Sequence, residues 1–289
     1  MRNLHGYIGM WHKLRHSRLI GLIQGASMEW YLGIYPCRYG LFAGGYNGSA
    51  YVTTTDKVTA SNEIISTQGT NKVLTQGRNY TVGVSFQSYG LFAGGYIGST
   101  AVTTTDKVTA STEIITAQGT NKVLTQARYG AAGVSFQSYG LFAGGFTGSA
   151  SVTTTDKVVA ATEIITAQGS GNVLTQARYY LTGVSFLNYG LFAGGYTGSA
   201  VVTTTDKVTT ATELVTAQGT NKILTQARLS SGSVSFNLYG LIAGGTTNVN
   251  GTATVTTTDK VTASTEIITA QGTNKVLTQA RYGATGISL

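Results

Sequence analysis

Tyr89-Gly90-Leu91-Phe92-Ala93-Gly94-Gly95 is the stretch on which the architecture of the chain turns. The same seven residues begin again at Tyr39, Tyr139 and Tyr189, and Tyr239 opens a variant with Ile242 in place of Phe. The period is 50 residues until an insertion of three around Asn248–Gly251 lengthens the last copy. Each copy runs on through Thr-Thr-Thr-Asp-Lys-Val, a Glu with two aliphatics (Glu113-Ile114-Ile115), a Gln-Gly turn and a Leu-Thr-Gln tract closed by Arg. It ends on Gly-Val-Ser-Phe or a close variant. Self-similarity at a fixed period of this length is the mark of an array of supersecondary units that bury their faces on one another.

Each unit reads as four short strands. In the second copy these are Gly83–Phe86, Gly90–Ala93, Ala101–Val108 and Glu113–Thr116, rich in Val, Phe, Ile and Thr and separated by a few turn residues. No amphipathic helical period runs through the repeat. Four strands per unit in five units predict an all-β fold, a five-bladed β-propeller of four-stranded antiparallel blades. Six segments compete for the five first-strand places. Pro36 removes a ladder donor from the N-terminal candidate Gly33–Pro36. The C-terminal Gly283–Leu289 is therefore expected to pair beside Tyr39–Gly45 and close the ring, which abolishes an exposed edge. The alternative is an open ring that recruits a second chain.

The repeat resembles the kelch family over about 250 residues, positions 39–289. The likeness rests on the doublets Gly44-Gly45, Gly94-Gly95, Gly144-Gly145, Gly194-Gly195 and Gly244-Gly245, and on Arg78, Arg128, Arg178, Arg228 and Arg281. Where the family has Tyr-Asp and a later Trp, this chain has Val58-Thr59 and Ile65, Val108-Thr109 and Ile115, and so on to Ile268. It is thus similar to a divergent kelch-like propeller, close in character to repeat arrays of phage tail and bacterial surface proteins. The resemblance implies a propeller fold, with aliphatics filling those core positions.

Composition separates a head from the array. Residues 1–38 hold every Trp, Met and His, the single Pro36 and the single Cys37, and half of the net charge of +8. The division expected is a basic leader or helical head segment at 1–38 and the propeller at 39–289, with repeats starting at 39, 89, 139, 189 and 239. Within the head, a basic front before Leu19–Ile23 and Gly25-Ala26-Ser27 fits a signal peptide with a short apolar core. Trp11, Leu14, Leu19, Leu22, Ile23 and Ala26 fall near one face of a helix, through which any membrane contact would be made. A degenerate blade or leader is the plainer reading. His12 and His16 stand four apart without further ligands nearby.

Chemistry inside the array is scarce. With no His or Cys beyond residue 38, it lacks the usual proton shuttles and thiol nucleophiles, and no enzymatic activity and no cofactor are expected. Asp56, Asp106, Asp156, Asp206 and Asp259 recur once per blade, as do Glu63, Glu113, Glu163, Glu213 and Glu266. Each Asp is followed by Lys, which predicts structural pairing between neighbouring strands or blades rather than a ring of metal ligands. The sequence pI near 9.5 raises the question of nucleic acid. Lys57, Lys72 and Arg78 are, however, interspersed with Asp56 and Glu63, and no basic cluster or reading motif occurs.

What remains is binding by a repeated surface. Copies differ most after the Gly-Gly doublet, at Tyr46-Asn47, Tyr96-Ile97, Phe146-Thr147, Tyr196-Thr197 and Thr246-Thr247. They differ again after the Arg, at Asn79-Tyr80, Tyr129-Gly130, Tyr179-Tyr180, Leu229-Ser230 and Tyr282-Gly283. In a four-stranded meander both loops emerge on one face. Tyr46, Asn47, Tyr96, Phe146, Tyr196, Tyr80, Tyr129, Tyr179 and Tyr282 are the candidate ligand-binding residues, since Tyr offers rigid area with a polar tip. The expected function is a non-enzymatic, lectin-like, multivalent module for a carbohydrate or a surface protein. The second reading is a structural or assembly component of a phage particle or cell surface. Either suits an extracellular or virion surface and a monomeric ring or homo-oligomer.

Overall fold

The computed structural model describes residues 39–284. The signal-peptide, head-helix and closing-strand expectations rest on residues 1–38 and 285–289 and lie outside the described residues. Five antiparallel sheets follow one another around a common axis, the all-β five-bladed propeller expected. Blade two is a meander of Val82–Ser85, Tyr89–Ala93, Thr105–Thr109 and Ile115–Ala117. Blades three to five repeat it, and blade one shows three strands, Tyr39–Ala43, Thr55–Thr59 and Ile65–Thr67, among the described residues. The third strand is shorter than the sequence suggests: Ala101 makes only an isolated bridge to Tyr96, and regular pairing starts at Thr105.

The first strands of successive blades lie side by side and so are innermost. Adjacent ones are tied by backbone N–H groups of Ser85, Ser135 and Ser185 donating to the hydroxyls of Ser135, Ser185 and Ser235, at 2.9–3.0 Å. The second strand is buried on both faces, which explains its continuous apolar run. Side chains alternate across it, so Tyr89 and Leu91 point to blade three while Phe92 points back to blade one. Between blades two and three, Tyr89, Leu91 and Leu124 pack on Phe142, Val158 and Ile165. Each fully buried aliphatic or Phe side chain contributes about 1.5–3 kcal/mol of transfer free energy. The apolar layer is therefore the main cohesion between blades.

Gly90 and its equivalents let the blades approach. A Cβ at Gly140 would come within 3.2 Å of the Phe86 ring and of Val84. Gly94, at φ +62°, would drive a Cβ to 2.5 Å from the Arg128 carbonyl oxygen.

Alternation also sorts the charges, and here the structure corrects the expected pairing. Asp106 does not pair through the lysines. It turns to the preceding blade, accepts from Arg78 at 2.9 Å and from the Thr75 hydroxyl, and is fully buried. Lys107, next in the strand, turns to the following blade and reaches Glu163, which Lys122 also grips at 2.8 Å. The buried pairs recur as Arg128–Asp156 at 2.7 Å, Arg178–Asp206 at 2.6 Å and Arg228–Asp259. Burial lowers each of these guanidinium pKa values, and the carboxylate beside it opposes the shift. Tyrosine hydroxyls add a further link, Tyr89 to the Ala160 carbonyl at 2.9 Å and Tyr139 to that of Thr210 at 3.2 Å.

Blade one and blade five carry the two halves of the same interface. Asp56, Glu63, Phe42, Val58 and Ile65 belong to one, and Arg281, Lys260, Lys275, Tyr239, Leu241 and Leu277 to the other. Among the described residues these ion pairs are not formed. Ile65 is 63% exposed where Ile115 is 6%, and Arg281 is exposed where Arg128 is fully buried.

Candidate functional site

The loops after the Gly-Gly doublets and after the blade-terminal arginines do meet, pair by pair. Bridges join Asn79 to Tyr96, Tyr129 to Phe146, Tyr179 to Tyr196 and Leu229 to Thr246. The reason is local. The doublet turns the chain out of the second strand with both glycines at positive φ, and the N–H of Gly95 donates to the carbonyl of Arg128. That bond ties each doublet loop to the arginine loop of its own repeat, while the bridge, Asn79 and Tyr96 exchanging both N–H to carbonyl bonds, ties it to the arginine loop of the preceding one.

Rings on these loops are close enough to form one continuous surface. Tyr46 lies 5.0 Å from Tyr51, Tyr51 5.8 Å from Tyr96, and Tyr96 5.2 Å from Tyr129. Tyr129 is 5.6 Å from Phe146, Phe146 4.9 Å from Tyr179, and Tyr179 5.5 Å from Tyr196. These centroid separations fall in the range at which aromatic pairs attract. Nearer the axis, Tyr80 stacks 5.9 Å from Tyr129 and tilts 4.9 Å from Tyr180.

The arc is preorganised. The hydroxyls of Tyr46, Tyr96 and Tyr196 donate to the carbonyls of Gly48, Gly98 and Gly198 at 2.8–2.9 Å. Those tips are engaged in their own turns and the ring faces remain to make contacts. Burial, then the neighbouring phenols, pushes the hydroxyl pKa of Tyr129 above its ordinary value, and the same holds for Tyr51 through Tyr96 and Tyr46. These phenols are neutral hydrogen-bonding groups across the physiological range.

Of the residues singled out from the sequence, Tyr46, Tyr96, Phe146, Tyr196, Tyr129, Tyr179 and Tyr80 come together in this arc. Asn47 belongs to the turn: its Oδ1 accepts from the backbone of Ser49 and Ala50 and from the Ser49 hydroxyl. Tyr282, 55% exposed, lies against Gly251 and outside the stacked set. The arc spans blades one to four and stops at Leu229 and Thr246, both buried.

Two members were not singled out. Tyr51 pairs across its turn with Tyr46, and its signal was the bulky residue where later copies have Ala101, Ser151 and Val201. Tyr180 sits one place past the bridging residue, where the backbone is left-handed in every copy: Tyr80 φ 54°, Gly130 64°, Tyr180 56°, Ser230 53°, Gly283 66°. The glycines at two of these positions were the only hint.

Among the described residues no group of three His, Cys, Asp or Glu side chains is arranged to hold a metal ion. The once-per-blade aspartates of blades two to five spend their oxygens on arginine and threonine. No protein-family model matches the chain, and no curated protein is similar to it.

Proposed function

We propose that the chain is a non-enzymatic binding module of kelch-like design whose Tyr-rich face takes up glycans at an extracellular or virion surface. The observation that carries this reading is the unbroken run of rings from Tyr46 to Tyr196 with pinned hydroxyls. Flat, uncharged rings held in place lose little entropy on binding and present an apolar surface edged with acceptors and donors. That matches a sugar, whose C–H faces are apolar and whose rim is hydroxyl. Repetition over four blades supports several contacts along one polymer, where modest individual terms multiply.

Glycan arrays probed with the full chain test it. A Tyr46, Tyr96 and Tyr196 triple alanine variant that keeps the parent's circular dichroism is expected to lose array binding. Each aromatic contact is worth about 0.5–1.5 kcal/mol. Undiminished binding by the folded triple variant removes the face from the function.

The second reading, an assembly component docking on protein, draws on the opposite face. The hairpin tips that are Gln87-Ser88 and Gln137-Ser138 in blades two and three become Leu187-Asn188 and Asn237-Leu238. Leu187 is 57% and Leu238 78% exposed, and both line a groove between blades four and five. Exposed leucines that break the repeat are a protein-contact signature. Capture of a surface protein lost on Leu187→Ser and Leu238→Ser, with arrays blank, favours this second reading.

A further inference from the structure

At the axis, on the Tyr-rich face, the loops between blades enclose a cavity of about 350 Å³. Its floor is a spiral of peptide groups. The N–H of Gly130 donates to the Tyr80 carbonyl, Tyr180 to Gly130, Ser230 to Tyr180 and Gly283 to Ser230, at 2.7–3.1 Å. All five residues have left-handed backbone, which is strained for Tyr and Ser. The spiral fixes five equivalent backbone positions, but the side chains on them are unequal. Tyr80 and Tyr180 lean together over Gly130, where a Cβ would strike the Tyr180 ring at 2.8 Å. Ser230 and Gly283 leave the other side open. One asymmetric pocket results, bounded by aromatic rings on one flank and by Ser230, Ser231 and Tyr282 on the other.

Resting on the glycan reading above, we propose that this axial cavity is a pocket for one uncharged pyranose ring, distinct from the repeated contacts of the arc. Several features select that ligand. Among the described residues no charged side chain lines the cavity, so none of them offers a phosphate, a carboxylate or an amine a counter-ion there. The volume lies at the small end of ligand pockets. Tyr80 and Tyr180 supply flat walls for the C–H face of a sugar, and the serine hydroxyls supply donors and acceptors for its rim. Asn79 also lines the cavity, and its buried Oδ1 has no hydrogen-bond partner. A buried acceptor left unmet is costly, and rotation of the Asn79 side chain toward the cavity would offer it a sugar hydroxyl as donor. Tyr129, Tyr179, Leu229 and Tyr282 hold the equivalent position in the other copies, so this acceptor occurs once per chain.

The repeat supplies its own test substitutions. Ser230→Tyr places on the open flank the residue that already occupies this left-handed position at Tyr80 and Tyr180. Asn79→Leu copies Leu229. Methyl glycosides of glucose, galactose, mannose and N-acetylglucosamine are titrated against the full chain by calorimetry and saturation-transfer NMR. The expected result is binding of at least one glycoside at a stoichiometry of one per chain. Ser230→Tyr should weaken it at least tenfold, Asn79→Leu several-fold, and Gln87→Ala, at an exposed hairpin tip on the opposite face, not at all. Thermal unfolding of each variant is expected to match the parent.

Binding at several equivalent sites, or binding that Ser230→Tyr leaves intact, overturns the pocket. So does array binding by the parent with no free glycoside bound; in that case the arc alone carries glycan recognition. Silence on arrays and free glycosides alike defeats the glycan reading itself, and the pocket with it.

Discussion

The interface between blades two and three and the junction between blades five and one are built from the same residues, yet only the first is covered. In the first, Arg128 meets Asp156, two lysines hold Glu163, and Ile165 is sealed under Tyr89, Leu91 and Leu124. In the second, Arg281 and Asp56 have no ionic partner among the described residues, and Ile65 is exposed. Complementary residues do not themselves make cohesion. An arginine–aspartate pair depends on burial, and burial depends on the apolar layer around it. Where the layer is absent, the same charges are solvated surface groups worth little.

The largest expected contrast is between the arginines. Arg128→Met strands the buried Asp156 carboxylate and should cost about 3–5 kcal/mol in chemical denaturation. Arg281→Met should cost under about 1 kcal/mol, as for an exposed group. An equal loss at both positions would show that Arg281 is buried against Asp56 in solution and that the contrast is not real.

Next come the aliphatics. Ile165→Ala removes a sealed side chain and should cost about 2–5 kcal/mol, whereas Ile65→Ala, at an exposed site, should fall within about 0.5 kcal/mol. Comparable losses would again place blade five over Ile65.

The smallest effect depends on pH. Burial tends to raise the carboxyl pKa of Glu163, but hydrogen bonds and charge from Lys107 and Lys122 outweigh it and hold the group below the ordinary value. A depressed carboxyl stabilises the fold above its unfolded value, about 4.3. It loses that contribution as pH falls through the lower folded value. Glu163→Gln should therefore cost about 0.5–1 kcal/mol at pH 7 and nothing near pH 2. Glu63→Gln, without a lysine partner among the described residues, should change stability at pH 7 by under about 0.5 kcal/mol. A Glu163→Gln penalty that persists into acid would assign the loss to packing rather than charge.

The blade itself was readable because its strongest signals are local. Tyr-Gly-Leu-Phe-Ala-Gly-Gly encodes a two-sided buried strand and its exit turn within seven residues, and the period does the rest. Pairing of charges was not readable in the same way. Asp106 and Lys107 are adjacent in the chain but point to opposite blades, so adjacency suggested a shared role that alternation forbids. Arg78 lies 28 residues from its Asp106 partner, and nothing local in either stretch announces the other. Of the binding face, the convergence of the two variable loops followed from meander topology. The inward position of Tyr180 did not, because it depends on a left-handed residue that only Gly130 and Gly283 betray.

The opposed directions of Asp and Lys give every blade a front and a back. Whatever follows a blade must offer an aspartate and a glutamate, and whatever precedes it an arginine and a lysine, joined by a second lysine in every repeat but the third, where Asn172 stands in its place. Blades are thus interchangeable cassettes. Loss or gain of one whole unit by recombination between the near-identical repeats joins a front to a back and keeps the arginine–aspartate pair and at least one lysine on each glutamate. The number of blades is set by how the curvature closes, while the chemistry between them permits any number.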